Sequence, residues 1–249
     1  MRDAVRLWPG ENQAKGFEEM IPLRDSIRPR HRPFINWLLI FANLLVFIKE
    51  LGLTPAELNH LFYRWGVIPA RVVHDLAVGA PLEPVMVTFV TAIFLHGGWV
   101  HFLGNMLYLW VFGDNVEDRL GHFRYLLFYL LAGVAGNAAH VLANPASPVP
   151  VVGASGAIAG VLGAYFVTFR RSRILALVPV FFFVTLMEVP AVIFLALWFF
   201  IQLFNGAASL GGAANPVAWW AHIGGFVAGM VLIKVMAPRF RLYNDYPRW

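Results

Sequence analysis

This sequence predicts an all-α polytopic membrane protein, a bundle of six transmembrane helices. Three observations carry that expectation. Hydrophobic residues make up 59% of the 249 and charged residues only 13%, about half the charged share of an ordinary soluble domain. Four stretches, 33–48, 84–113, 125–169 and 189–233, contain no Asp, Glu, Lys or Arg. The basic residues flank those stretches instead of gathering in one patch. So few charges cannot coat a globule this apolar, so a soluble fold is excluded.

Taken in order, residues 1–33 form a polar N-terminal tail without an apolar run, read as a cytoplasmic arm and not a cleaved signal. The first span is 34–51. The stretch 84–113 breaks at Gly97-Gly98, and the piece before the break is too short to cross, so the second span is 99–118. The two long stretches each hold two helices of about 20 residues. Loop chemistry divides them: Asn144-Pro145 through Pro150 in one, Asn205-Gly206 through Asn215-Pro216 in the other. This places spans at 123–142, 152–169, 190–205 and 217–236. The apolar segment 174–187 contains Pro179 and is too short to span, so it reads as an interfacial or re-entrant connector. The membrane domain is thus 34–236, followed by a second cytoplasmic tail, 237–249.

An even number of spans puts both termini on one side. That side receives Arg2, Arg6, Lys15, Arg24, Arg28, Arg30, Arg32, Arg119, Arg124, Arg170, Arg171, Arg173, Lys234, Arg239, Arg241 and Arg248; the other receives only Lys49, Arg64 and Arg71. The excess of bases faces the cytoplasm, giving an N-in, C-in protein of the plasma membrane, as in a bacterial inner membrane. It also accounts for a pI near 9.8 without nucleic acid as a partner. There is no cysteine, which excludes disulfides, thiolate metal sites and a cysteine nucleophile.

Polar side chains inside lipid-spanning segments are expensive and therefore informative. Of the five serines only Ser155 falls within a span. His101 and Asn105 lie in the first two turns of the second span, Ser155 in the first turn of the fourth, and His222 in the second turn of the sixth. These three spans run in the same direction, so the groups share a depth of roughly 5–10 Å below the outer surface on a 1.5 Å rise. Gly156, Gly160 and Gly163 follow the serine, and Gly224, Gly225 and Gly229 follow the histidine. Small-residue faces let membrane helices approach closely, which would bring Ser155 Oγ to His222. A serine hydroxyl needs such a base to become a nucleophile. The blander reading is that the glycines only pack helices and Ser155 bonds back to its own helix; the histidine at matching depth favours catalysis.

His101 and Asn105, four residues apart, share one helix face. Both can donate to the negative charge that develops on a carbonyl oxygen during acyl transfer, as can the Ser155 amide at a helix start. The other reading of Asn105 is a hydrogen bond to a neighbouring helix. No carboxylate lies within 125–169 or 189–233, so a serine enzyme here is a Ser-His dyad. Asp114, Glu117 and Asp118 sit at the far, inner end of the second span and read as structural, paired with Arg119, Arg124 or backbone.

Four pieces of sequence closely resemble the rhomboid family of intramembrane serine proteases: His101-x3-Asn105, Phe112-Gly113-Asp114-Asn115-Val116-Glu117, Gly153-Ala154-Ser155-Gly156-Ala157, and Ala221-His222-x2-Gly225-x3-Gly229. The resemblance covers about residues 34–236. It implies a Ser155 nucleophile, a His222 base, and an oxyanion hole of His101, Asn105 and the Ser155 amide. It implies membrane-spanning protein substrates cut near their outer end, in the lipid bilayer. It also implies a gate formed by the fifth span and the loop before the sixth, with Trp198, Phe199 and Phe200 as its aromatic residues. Two departures stand out. Many members carry an aromatic residue one turn after the serine, packed on the histidine; here it is Ala159, so another side chain must hold His222. Many also carry a Trp-Arg pair in the first outer loop, where this chain has Val85-Met86-Val87-Thr88. No metal and no cofactor is expected, since there is no HExxH run and no phosphate-binding glycine loop. The competing classes are a non-catalytic relative that binds and escorts membrane proteins, and a transporter using His101, His140 and His222 as a proton path.

Overall fold

The structure, a computed structural model, describes residues 20–180, 183–210 and 217–238. Arg2, Arg6, Lys15, the Asn215-Pro216 interruption and nearly all of the 237–249 tail lie outside the described residues. Among the described residues the chain is mostly helical. Each expected span is a helix whose ends fall within a few residues of the expected ones: α1 Phe34–Leu51, α5 Trp99–Leu120, α6 His122–Ala143, α7 Ser155–Thr168, α8 Ala191–Ser209 and α9 Trp219–Met236. Three shorter helices, α2 Pro55–Trp65, α3 Pro69–Val78 and α4 Glu83–Thr91, fill the long first loop.

Four of these helices, α1, α6, α8 and α9, are long and apolar enough to cross a membrane by themselves. Helix α4, continued by a 3-10 turn to Phe94, meets α5 at an angle of 83° across the break at 95–98. Helix α7 is 14 residues long, about 21 Å on a 1.5 Å rise, and ten of its residues are buried. It is the central post of the bundle.

The helices bury polar groups and expose apolar ones, the inverse of a soluble protein. On α1 the inward stripe is Asn36, Leu39, Asn43, Phe47 and Glu50, while Trp37, Leu38, Phe41 and Ile48 are exposed. Hydrocarbon cannot satisfy an amide or a carboxylate, so such groups turn toward protein. Helix α9 packs against both α6 and α7. The α7–α9 seam has no room for side chains: a Cβ on Gly225 would strike the carbonyl oxygen of Gly156, and one on Gly229 would strike that of Gly160. On α6, a Cβ on Gly136 would lie 2.6 Å from the Ala221 carbonyl oxygen. The expected contact between the serine helix and the histidine helix is therefore made, with α6 as a third partner.

The segment 174–187, expected as an interfacial or re-entrant connector, is built of two β-strands. It lies within an antiparallel hairpin, β2 Arg173–Val180 and β3 Phe183–Pro190, in register from Arg173 opposite Pro190 to Val180 opposite Phe183. The N-terminal tail is ordered in part: β1, Ile21–Asp25, pairs antiparallel with β2, Ile21 opposite Leu177 and Asp25 opposite Ile174. The run Ile174-Leu175-Ala176-Leu177 alternates its burial, with Ile174 and Ala176 fully buried. That period of two belongs to a strand. Its apolarity alone could not separate strand from membrane segment.

Of the partners expected for the inner acids, Glu117 and Asp118 take backbone, and each adds a histidine. Glu117 accepts hydrogen bonds from the backbone N–H groups of Ile35 (3.0 Å) and Asn36 (2.7 Å) and meets His122 Nδ1 at 2.5 Å. Asp118 accepts from the backbone N–H of His31 and contacts its Nδ1 at 2.6 Å. Glu117 lies near the C-terminus of its own helix, where the dipole disfavours it, but at the N-terminus of α1, where unpaired N–H groups and the dipole favour an anion. Arg119 instead donates to the Pro238 carbonyl at 3.0 Å. The starts of α1 and α6 and the ends of α5 and α9 thus gather at one end of the bundle.

Candidate active site

At the opposite end, Ser155 opens α7 and His222 lies in the first turn of α9. Their side chains meet: His222 Nε2 and Ser155 Oγ are 2.8 Å apart. Neither is fully buried. The residues before the serine form an extended segment that is tied down twice. Val151 pairs with Val67 in an isolated bridge, and the Gly153 N–H donates to the Ala92 carbonyl at 2.8 Å.

Gly153 adopts φ +129°, a conformation that favours glycine. A Cβ there would lie 2.5 Å from His101 Nε2 and 3.7 Å from Ser155 Oγ. His101 Nε2 and Ser155 Oγ therefore border one small space, which the missing side chain keeps open. The proton on His101 can be placed. The Gly97 N–H donates to His101 Nδ1 at 3.3 Å, so Nδ1 is an acceptor and a neutral ring carries its hydrogen on Nε2. Nε2–H is then a donor aimed at that space. Asn105, one turn further along α5, is buried, and its Nδ2 finds no hydrogen-bond partner among the described residues. An unpaired buried amide donor is costly, and an incoming oxyanion would satisfy it. Helix α7 has no side-chain cap, and its first N–H groups, that of Ser155 among them, have no intrahelical acceptor.

The break from which α5 starts is itself held. Both carboxylate oxygens of Glu50, buried at the end of α1, accept from the His96 N–H at 3.1 and 3.2 Å. The His96 ring packs edge-on to His101, 5.2 Å between centroids.

A family model described as the rhomboid domain matches residues 83–239, more than half of the chain, and contains all four of these residues. The chain belongs to the rhomboid family. It is 36% identical over 145 residues to the rhomboid protease GluP of Bacillus subtilis, covering 57% of this chain and 25% of that one. It is 31% identical over 142 residues to the chloroplastic Rhomboid-like protein 11 of Arabidopsis thaliana, covering 57% and 45%, and 40% identical over 87 residues to the putative rhomboid protease YdcA of Bacillus subtilis, covering 34% and 43%. The chain spans less than half the length of each of these relatives. Like them it is a rhomboid protein, and its apolar helices make it a multi-pass membrane protein.

In this rhomboid the histidine is held by α8 and α9. Ala159 is fully buried against α9: its Cβ would meet a Cβ on Gly225 at 3.4 Å. An aromatic ring has no space there. Trp198 of α8 lies 6.0 Å from the His222 ring at 33°, and Trp219 of α9 lies 6.1 Å away at 87°. Of the three aromatic residues expected at a gate, Trp198 and Phe199 face inward, Phe199 stacking on Phe226 at 4.6 Å. Only Phe200 is exposed. Sequence reasoning missed Gln202, whose Oε1 lies 2.7 Å from His222 Nδ1. The available signal was an amide within the apolar run that opens α8, three residues before Asn205. It also missed Glu50, a carboxylate in the last turn of a span.

Proposed function

We propose that this protein is an intramembrane serine endopeptidase that hydrolyses peptide bonds of membrane-spanning proteins with a Ser155–His222 dyad. The observation that carries the reading is the 2.8 Å contact between Ser155 Oγ and His222 Nε2. Nε2 takes the hydroxyl proton as Oγ attacks the scissile carbonyl. His101 Nε2–H, Asn105 Nδ2–H and the Ser155 amide receive the oxyanion. The imidazolium then protonates the leaving amine, and water repeats the sequence to release the acyl group. No metal and no cofactor enters these steps.

The protein is placed in a plasma membrane, in the manner of a bacterial inner membrane, N-in and C-in, with the dyad near the outer face. Residues 34–236 form the membrane domain of six spans, and 1–33 and 237–249 the cytoplasmic tails. Its partners are single-span protein substrates and the bilayer. The test is incubation of model single-span substrates with wild type, Ser155→Ala and His222→Ala in detergent and in vesicles. Cleavage by wild type, lost in both folded variants, supports the reading. Stable capture of uncleaved substrate by all three would instead make this an escort protein.

A further inference from the structure

We propose that Gln202 is the positioning residue of His222, locking its tautomer and ring angle through Nδ1; this rests on reading Ser155 and His222 as the dyad. Gln202 lies on α8, 1% exposed, in the middle of a helix that contains no charged residue. Burying an amide in such surroundings is costly unless it is hydrogen-bonded, and its Oε1 sits 2.7 Å from His222 Nδ1. A neutral imidazole carries one hydrogen. For Nε2 to accept the proton of Ser155, that hydrogen must be on Nδ1. The atom facing Nδ1 must then be an acceptor, which requires the amide oxygen and excludes the NH2 group. The two contacts of the ring thus specify each other.

Trp198 precedes Gln202 by one helical turn, so both project from one face of α8 and both reach the His222 ring. One contact flanks the ring and the other fixes its edge. The Phe199–Phe226 stack seats that face of α8 on α9. An amide performs the orienting task that a carboxylate performs in a Ser-His-Asp triad, without a permanent charge buried in an apolar helix.

The experiment compares wild type, Gln202→Met, Gln202→Glu and Ser155→Ala for substrate cleavage, the rate of fluorophosphonate labelling at Ser155, and melting temperature. Methionine keeps the length and apolar fit and removes the acceptor; glutamate keeps an acceptor oxygen. Gln202→Met is expected to lower kcat and the labelling rate by about 10–10²-fold, the cost of one lost hydrogen bond plus an unsatisfied buried donor. KM should stay near wild type, the melting temperature should fall by only a few degrees, and Gln202→Glu should recover part of the rate. A folded Gln202→Met protein with wild-type kcat and labelling overturns the assignment. So does a loss that follows melting temperature and is equal in Gln202→Glu, since that is the mark of a packing residue. If wild type reacts no faster than Ser155→Ala, the dyad reading itself fails, and the assignment with it.

Discussion

Asn105 carries a buried donor, Nδ2, that no described residue accepts from, while its neighbour one turn back, His101, has its donor direction set by the Gly97 N–H. If Asn105 receives the oxyanion, Asn105→Ala should lower kcat by about 10²–10³-fold, the usual cost of one such donor. KM should change little, because the interaction strengthens in the transition state. A structural role would instead lower the melting temperature, with activity falling only as folded protein is lost. Steady-state kinetics and a thermal melt on the same preparation separate the two, and a folded, fully active variant would remove Asn105 from the site. The residue scale also shows why His222 needs no aromatic partner on α7. The space opposite Ala159 is occupied by the backbone of α9, so the ring is held from α8.

At the scale of elements, the dyad depends on how closely α7 and α9 approach. Gly225 and Gly229 of α9 abut the carbonyls of Gly156 and Gly160, so a methyl group at either position must push the helices apart. Overpacking of this kind costs about 1–3 kcal/mol. Gly229→Ala is therefore expected to lower the melting temperature and to cut fluorophosphonate labelling of Ser155 by more than tenfold, as Ser155 and His222 move beyond hydrogen-bond reach. Labelling at the wild-type rate in that variant would show that the seam tolerates separation. The inner end of the bundle follows a different rule. There Glu117 serves as an anionic cap for α1, some 24 Å along α5 from His101 on a 1.5 Å rise, and supports the scaffold without touching the chemistry.

For the whole molecule, the three-stranded sheet ties the N-terminal arm to the hairpin that leads into α8. Its anchor is Asp25 at the end of β1, whose Oδ2 accepts from Asn115 Nδ2 at 2.7 Å and from the Tyr165 hydroxyl at 2.5 Å. Burial pushes the Asp25 carboxyl up to about 7, against the lowering effect of the Tyr165 hydrogen bond. In the unfolded chain the same group titrates near 3.9. The folded state therefore binds the proton more tightly, and stability falls as pH rises from about 4 through about 7. Thermal melts between pH 5 and pH 8 should show that decline in wild type and a flatter profile in Asp25→Asn, which keeps a neutral acceptor in place. Equal slopes in the two proteins would locate the pH dependence elsewhere.

Local rules acting on the sequence were enough to specify the helical pieces, the break at Gly97-Gly98, the shared face of His101 and Asn105, and the meeting of Ser155 with His222. Lipid admits long apolar runs and penalises a polar group within them, and helical periodicity fixes which neighbours share a face. Tertiary structure decided the rest. The Gln202 contact depends on the rotation and seating of α8 against α9. The partners of Glu117 and Asp118 depend on where α1 begins in space. The β1–β2 pairing joins strands separated by about 150 residues, and the apolar composition of 174–187 suits a strand as well as a membrane segment. Each of these is a contact between distant parts of the chain, set by packing geometry that no local pattern encodes.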